Sequence, residues 1–120
     1  MIDHIGLPVT DVEASKALYT AALSSLGYAV EYEDADSVGL GVDGTIDLWL
    51  YKKPGVTLGT HLAFVASSRD QVDRFHANAC ASGAGDNGRP GIRADYAANY
   101  YAAFVLDADG HNIEVVCYAE

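Results

Sequence analysis

Basic residues are scarce in this sequence. Seven lysines and arginines stand against seventeen aspartates and glutamates, which gives a formal net charge of −10. A field of that sign repels phosphate backbones and anionic lipid surfaces, and no cluster of Lys or Arg interrupts it. We therefore expect neither nucleic acid nor a membrane as a partner. The apolar runs are also far shorter than the roughly 20 residues of a membrane-spanning helix.

Cysteine is scarce as well. The chain has only Cys80 and Cys117, and their separation does not match the ligand spacing of a zinc motif. A lone pair in an acidic chain is typical of free thiols in a reducing compartment. The first residues begin directly with strand-like sequence and lack the shape of a signal peptide. We therefore expect a cytoplasmic protein.

The two halves of the chain follow the same order of predicted elements. Half of the 120 residues are hydrophobic, which is typical of one globular domain over residues 1–120. Aligning His4 with His61 superimposes two short strands, each followed by a helix start. Thr10 or Asp11 can cap the first helix, and Ser67 or Ser68 the second. The sequence therefore predicts a βαβββ module over residues 1–57 and another over 58–120.

The remaining strands are predicted from alternation and turn residues. In the first half they span 28–33, 37–42 and 45–51. In the second half, a hairpin over 100–107 and 111–118 follows a long Gly- and Asn-rich loop over 84–99 that holds one short strand. A module of this kind leaves one sheet face open, so two modules side by side predict an α+β fold, a half-open eight-stranded mixed barrel with the helices outside. The open inner face is the expected pocket.

Strand alternation predicts which side chains point into that pocket. The aliphatic residues of each strand pack under the helices, and the opposite face of the four central strands collects His4, Asp47, His61 and Glu114. Imidazoles and carboxylates are ligands for divalent metal ions. Each residue alone is more typical of an ordinary solvated position. Four at matched places in two repeats indicate a metal site.

Other residues are candidates for binding a substrate. Trp49 and Tyr51 share the predicted face of Asp47, where they either line a substrate site or fill the barrel. A cation and three phenols border the last hairpin, namely Arg93, Tyr96, Tyr100 and Tyr101. Arg93 either binds a substrate carboxylate or phosphate in bidentate fashion or is a solvated loop residue. His76 and His111 are expected at the surface, and Tyr19 in the packing.

Three segments resemble one protein family. They are residues 4–11 (HIGLPVTD), 60–64 (THLAF) and 107–114 (DADGHNIE). They resemble the vicinal oxygen chelate superfamily, which includes glyoxalases, extradiol dioxygenases, fosfomycin-resistance enzymes and bleomycin-binding proteins. The resemblance spans essentially the whole chain, and its last segment is the most specific.

The resemblance implies a ligand set and a mechanism. It puts metal ligands at His4, His61 and Glu114, and Asp47 at the place where glyoxalases have a fourth ligand, a glutamate. Asp47 is one methylene shorter, so the direct bond is in question. The implied metal, Zn, Ni, Mn, Co or Fe, acts as a Lewis acid on a small substrate that chelates it through adjacent oxygens. Glu114 or Asp47 would then move a proton.

The functional hypothesis is a metal-dependent glyoxalase-like lyase or isomerase. One alternative is an Fe(II) extradiol-type dioxygenase, which needs two histidines and one carboxylate and leaves Asp47 dispensable. The other is a metal-free protein that binds a drug or another small molecule. Members of the family commonly form dimers, so a homodimer is expected.

Overall fold

Two four-stranded sheets and two helices make up the protein, in a computed structural model that describes residues 1–55 and 59–120. The strands are β1 (Ile5–Val9), β2 (Ala29–Glu33), β3 (Ser37–Val42), β4 (Thr45–Lys52), β5 (His61–Ala66), β6 (Gly85–Ile92), β7 (Tyr101–Leu106) and β8 (Asn112–Cys117). The helices are α1 (Val12–Leu23) and α2 (Arg69–Ala81), and a 3₁₀ turn, Ser24–Leu26, follows α1. The predicted module boundary at 57/58 lies outside the described residues.

The two sheets have the same internal order. The first runs β1-β4-β3-β2 and the second β5-β8-β7-β6. In each, the first strand of the module pairs parallel with the last, and the other neighbours are antiparallel. The sheets do not close on each other. The predicted α+β fold of two βαβββ modules in a half-open barrel is confirmed.

Local sequence explains where the helices begin and where the first one stops. The Asp11 carboxylate accepts a hydrogen bond from the Ala14 amide, and the Ser68 hydroxyl accepts one from the Gln71 amide. Both are N-caps that satisfy an otherwise free helical N–H. Gly27 ends the 3₁₀ turn with a φ of 85°, a left-handed conformation that favours glycine.

Side chains from both modules form one hydrophobic cluster between the sheets and the helices. Leu7, Leu50 and Tyr19 contribute from the first module, and Phe75 and Val115 from the second, each almost fully buried. The packing role predicted for Tyr19 is therefore confirmed. No helix in the described part of the chain is long and apolar enough to cross a membrane.

The second module differs from the prediction at β6. This eight-residue strand occupies much of the segment expected to be a loop. Its register with β7 shifts between Asp86 and Gly88 and again between Gly88 and Gly91. These irregularities accommodate the Gly- and Pro-rich sequence, so pairing with β7 overrides a weak local preference for strand.

The turn between β7 and β8 joins the two modules, and we call its residues Asp107, Asp109 and His111 the latch. The Asp107 carboxylate accepts hydrogen bonds from the Asp109 and His111 amides and from the Tyr19 hydroxyl. The Asp109 carboxylate binds the amide and hydroxyl of Thr10. The first part of the most specific segment of the sequence, residues 107–111, is therefore a structural connection.

The surface position predicted for His111 is wrong. Its side chain is completely buried, with Nδ1 accepting from the Thr60 amide and Nε2 bound to the Pro8 carbonyl. An N–H donor at one ring nitrogen and a carbonyl at the other fix the neutral imidazole. This histidine therefore serves the packing of the two modules.

Candidate functional site

The second sheet brings His61 and Glu114 together on its open face. His61 is the first residue of β5, and Glu114 lies in the middle of β8. The His61 Nε2 atom is 2.9 Å from Glu114 Oε2. The imidazole is about half exposed, whereas the carboxylate side chain is only 4% exposed. The pair therefore combines a buried carboxylate with a solvent-accessible imidazole.

Tyr100 holds the other carboxylate oxygen. Its hydroxyl donates to Glu114 Oε1 at 2.5 Å. The hydrogen bond to Glu114, with burial as a second cause, raises the pKa of Tyr100 well above its ordinary value. The phenol therefore stays protonated and fixes the carboxylate between two donors.

Two asparagines form a hydrogen-bonded chain at Nδ1, the ring nitrogen of His61 that faces away from Glu114. The Asn112 amide nitrogen lies 2.7 Å from His61 Nδ1, and the Asn112 carbonyl oxygen accepts from the Asn87 amide. With Nδ1 accepting, Nε2 carries the proton and donates it to Glu114. Sequence reasoning missed Asn112, although it stands two residues before Glu114 and so shares its face of β8.

A cavity opens beside this pair. Its volume is about 540 Å³, and its walls are His61, Asp95, Tyr96, Tyr100, Phe104 and Glu114. A neighbouring cavity shares Tyr96 and Phe104 and also contains Arg93, whose guanidinium stacks 5.5 Å from the Phe104 ring centre. The space around the pair is therefore large enough for a small molecule, with a cation at one side.

Tyr101 lies elsewhere. Its hydroxyl donates to Asp73, and its ring faces the Arg69 guanidinium, so the side chain packs against α2. Alternation along β7 separates it from Phe104, which faces the cavity. Tyr101 is therefore separated from Tyr96 and Tyr100, the predicted substrate residues that line the cavity.

The open face of the first sheet is aromatic. The Trp49 ring packs edge-on against Tyr32, with the ring centres 5.6 Å apart. Tyr51 lies over Gly6, where an added Cβ would sit 3.3 Å from the phenol ring. The predicted substrate residues Trp49 and Tyr51 therefore share a face, but His61 and Glu114 lie on the other sheet.

Asp47 does not share that face, because β4 has a bulge. Leu40 pairs with Leu48 and Gly41 with Ile46, which leaves Asp47 as an extra residue. An added Cβ at Gly39 would contact both Ile46 and Trp49, so these two share the open face although they are three residues apart. The Asp47 carboxylate instead binds the Tyr28 hydroxyl at 2.8 Å. The face predicted for Asp47 by simple alternation is wrong.

Strand register identifies the true counterpart of Glu114. Ile5 pairs with Leu48 in the first sheet, and Leu62 with Ile113 in the second. Because the β1 and β5 positions correspond in the repeat, the residue after Leu48 matches the residue after Ile113. Trp49 therefore stands where the second module has Glu114.

His4 is separate from the pair. It precedes β1, its side chain is 56% exposed, and its Nδ1 atom lies 2.7 Å from the Asp3 carboxylate. In the part of the chain that the structure describes, the one group of three or more potential ligand residues with mutually close ligand atoms is the latch. Its atoms already serve hydrogen bonds between the modules.

The pair itself fits a metal ion. Ligand atoms about 2.1 Å from an ion and at right angles to each other are about 3 Å apart. The separation of 2.9 Å between His61 Nε2 and Glu114 Oε2 matches that spacing. Two of the four predicted ligands therefore have a spacing that one metal ion could bridge, whereas His4 and Asp47 lie outside this pair.

The fold is that of the vicinal oxygen chelate superfamily. The Glyoxalase/Bleomycin resistance protein/Dioxygenase superfamily matches residues 1–115. The chain belongs to this superfamily, as its sequence segments predict. No curated protein gives a significant match.

Solved structures agree on the fold. A glyoxalase/bleomycin resistance protein from Albidiferax ferrireducens is 27% identical, with a TM-score of 0.81 over 96% of both chains. A putative glyoxalase from Bacillus halodurans is 23% identical, with a TM-score of 0.75 over 98% of this chain and 95% of the other. A fosfomycin resistance protein from Listeria monocytogenes is 19% identical, with a TM-score of 0.72 over 95% and 89%.

Proposed function

We propose that the protein binds one divalent metal ion through His61 and Glu114 and acts as a glyoxalase-like lyase or isomerase. The substrate is a small molecule with two adjacent oxygen atoms. The observation that carries the proposal is the chain Asn112–His61–Glu114–Tyr100, in which each side chain is held by the next. When bound, the ion supplies Lewis-acid stabilisation of negative charge that develops on a substrate oxygen.

The hydrogen bonds around His61 allow it to become a ligand. Binding through Nε2 requires the proton to move to Nδ1, where an acceptor must receive it. The Asn112 amide, turned over, presents its oxygen there, and Asn87 can turn with it. The pair of amides therefore accommodates either tautomer of His61.

Glu114 and Tyr100 are suited to proton transfer. Glu114 holds Tyr100 through Oε1 and His61 through Oε2, so Oε2 is the oxygen that would accept a proton from the substrate once it is released from His61. Tyr100 remains a donor to Oε1 and keeps Oε2 aimed at the cavity. Isomerisation needs one such group that takes a proton from one carbon and returns it to the next.

The surrounding side chains indicate a polar substrate of modest size. Tyr96 and Phe104 form walls, and Arg93 offers a carboxylate- or phosphate-binding group beside them. The Arg93 guanidinium is tied to the Arg89 carbonyl by one hydrogen bond and keeps its other donors. Arg93 would therefore select substrates with an anionic group at the end away from the metal.

A metal ion held by His61 and Glu114 needs further ligands, and we propose that His4 of the partner subunit supplies one in a homodimer. Within one chain, His4 lies before β1 on the module that lacks a counterpart of Glu114. The aromatic open face with Trp49 and Tyr51 would then cover the cavity of the partner, with Tyr32, at 47% exposure, extending that apolar surface.

A metal assay tests the core of the proposal. Untagged protein purified without chelator is expected to hold one divalent ion per chain by elemental analysis. Chelation should abolish conversion of an α-hydroxycarbonyl or hemithioacetal substrate panel, and Ni, Zn, Co or Mn should restore it. Protein that stays metal-free and still binds small molecules tightly would instead identify a binding protein.

Mixed dimers test the shared site. The variants His4→Ala and His61→Ala should each be inactive alone. Co-refolded together they should recover up to about a quarter of the wild-type activity, because half of the dimers are mixed and each mixed dimer has one intact site. No recovery with a correctly assembled dimer would contradict the contribution of His4.

The displacement of Asp47 favours one alternative, an Fe(II) dioxygenase with ligands His4, His61 and Glu114. Two histidines and one carboxylate leave open positions for oxygen chemistry. Oxygen uptake with a catechol that depends on added Fe(II) would support it. Activity under anaerobic conditions with Ni or Zn would exclude it.

A further inference from the structure

Asp47, the bulge residue of β4, lines a second cavity away from the candidate metal site. This cavity of about 220 Å³ lies where the two modules meet, and Asp3, Tyr28, Asp47, Leu62 and Phe64 line it with Ile2, Ile5, Leu48 and Ala63. None of these residues lines the cavity at His61 and Glu114. The two spaces are therefore distinct.

One oxygen of Asp47 lacks a partner. Oδ2 accepts from the Tyr28 hydroxyl, but Oδ1 is buried and has no hydrogen-bond partner among residues 1–55 and 59–120. A buried acceptor without a donor is costly, because its desolvation is uncompensated. A ligand that brings a donor to Oδ1 removes that cost.

The remaining walls specify the rest of the ligand. Seven of the lining residues are uncharged and aliphatic or aromatic, among them Leu48, Leu62 and Phe64. The Tyr28 and Phe64 rings meet edge to face, 5.6 Å between centres, which presents aromatic surface to the space. An engineered apolar cavity of about 150 Å³ holds benzene, so this cavity can hold a single ring.

Charge decides between a neutral and a cationic donor. Among residues 1–55 and 59–120, Asp3 and Asp47 line the cavity, and no Lys, Arg or His does. The net charge of the chain is −10. The Asp3 carboxylate is exposed and paired with His4, so a positive donor gains chiefly from Asp47 and from the aromatic rings.

We propose that this cavity is a binding site for a small organic ammonium ion, with the ammonium on Asp47 Oδ1 and an apolar body against Leu62 and Phe64. The site goes beyond the proposed catalytic function and does not depend on it. Tyr28 occupies Oδ2 only, and the bulge in β4 creates the site by turning Asp47 off the open face.

Benzylammonium is the probe, with benzyl alcohol and phenylacetate as matched neutral and anionic probes. Calorimetry or ligand-observed NMR should detect benzylammonium binding at least about tenfold tighter than benzyl alcohol, and no phenylacetate binding. Amide shifts in ¹H–¹⁵N spectra should cluster at Tyr28, Leu62 and Phe64. Equal affinity for the alcohol, absence of amine binding, or shifts centred on His61 and Tyr100 would overturn the proposal.

Variants sharpen the test. Asp47→Asn should weaken benzylammonium at least about tenfold, because it removes the charge and keeps the shape. Asp43→Asn makes the same change of net charge in an exposed turn with a φ of 51°, which asparagine tolerates, and should change affinity less than about twofold. If Asp47→Asn does not fold, Tyr28→Phe is the deciding variant. It frees Asp47 Oδ2 and should therefore bind benzylammonium as tightly as the wild type or more tightly. Equal loss in Asp43→Asn, or loss in Tyr28→Phe, would contradict the site.

Discussion

The second module presents Glu114 to the open face, and the first presents Trp49 at the corresponding position. Glu114 contacts an imidazole, backed by two amides, and a phenol, whereas Trp49 lies beside Tyr32 and two glycines. The two modules have the same strand order, but only the second one carries the polar side chains of the candidate site. A duplicated fold can thus keep one module for reactive groups and use the other as an apolar cover.

Among the substitutions that distinguish the two modules, replacing Glu114 should have the largest effect, a loss of metal affinity. Glu114→Ala removes the buried carboxylate and leaves His61 and Tyr100 without their shared partner. We expect divalent-metal affinity to fall at least about a hundredfold, measured by competition with a chromophoric chelator.

Asp47→Ala is the comparison for that experiment. Since Asp47 faces Tyr28 and the other cavity, metal affinity should change less than about threefold. A loss as large as that of Glu114→Ala would mean that the bulge in β4 does not exclude Asp47 from the metal site.

The next effect in size concerns the hairpin turns of the two modules, where matched substitutions should change the free energy of unfolding by different amounts. Asp107→Asn weakens three hydrogen bonds at a buried carboxylate, and we expect a loss of about 2–3 kcal/mol in the free energy of unfolding by urea denaturation. Asp43→Asn, in the exposed turn before β4, should change it by less than about 0.5 kcal/mol. Equal effects would show that the latch is not a special connection.

The smallest expected effect concerns pH and Tyr28. Burial, and then the hydrogen bond to Asp47, raises the pKa of Tyr28 above its ordinary value near 10. Above about pH 10 the unfolded phenol releases its proton before the folded one does, so the unfolded state holds fewer protons and stability falls as pH rises.

Tyr28→Phe should therefore lose about 1 kcal/mol at neutral pH through the missing hydrogen bond, and then fall less steeply than the wild type above pH 10. The measurement is urea denaturation at several alkaline pH values. Parallel curves for the two proteins would contradict the raised pKa.

Alternation and turn residues predicted the fold because most strands here have one aliphatic face and the helices have recognisable caps. β6 was predicted only as a short strand within a loop, because its glycines and proline carry little strand preference and its pairing with β7 supplies the order. The position of Asp47 depends on a bulge, and a period of two contains no signal for one extra residue.

For the candidate site, alternation placed His61 and Glu114 on a common face, and their side chains do meet. The location of His4 could not follow from alternation, since β1 begins only after it. Asn112 was missed because an amide beside an imidazole matters only once both positions in space are known. Tyr101 was grouped with its neighbours in sequence, although adjacent strand residues point to opposite sides.

The latch also bears on how the chain folds as it is made. Asp109 reaches back 99 residues to Thr10, and His111 reaches back 103 residues to Pro8. Contacts over such separations form late, since most of the chain must be present before they close. Thr10 and Pro8 therefore gain these hydrogen bonds only after the chain through His111 has emerged from the ribosome. The two modules then mature together as one folding unit.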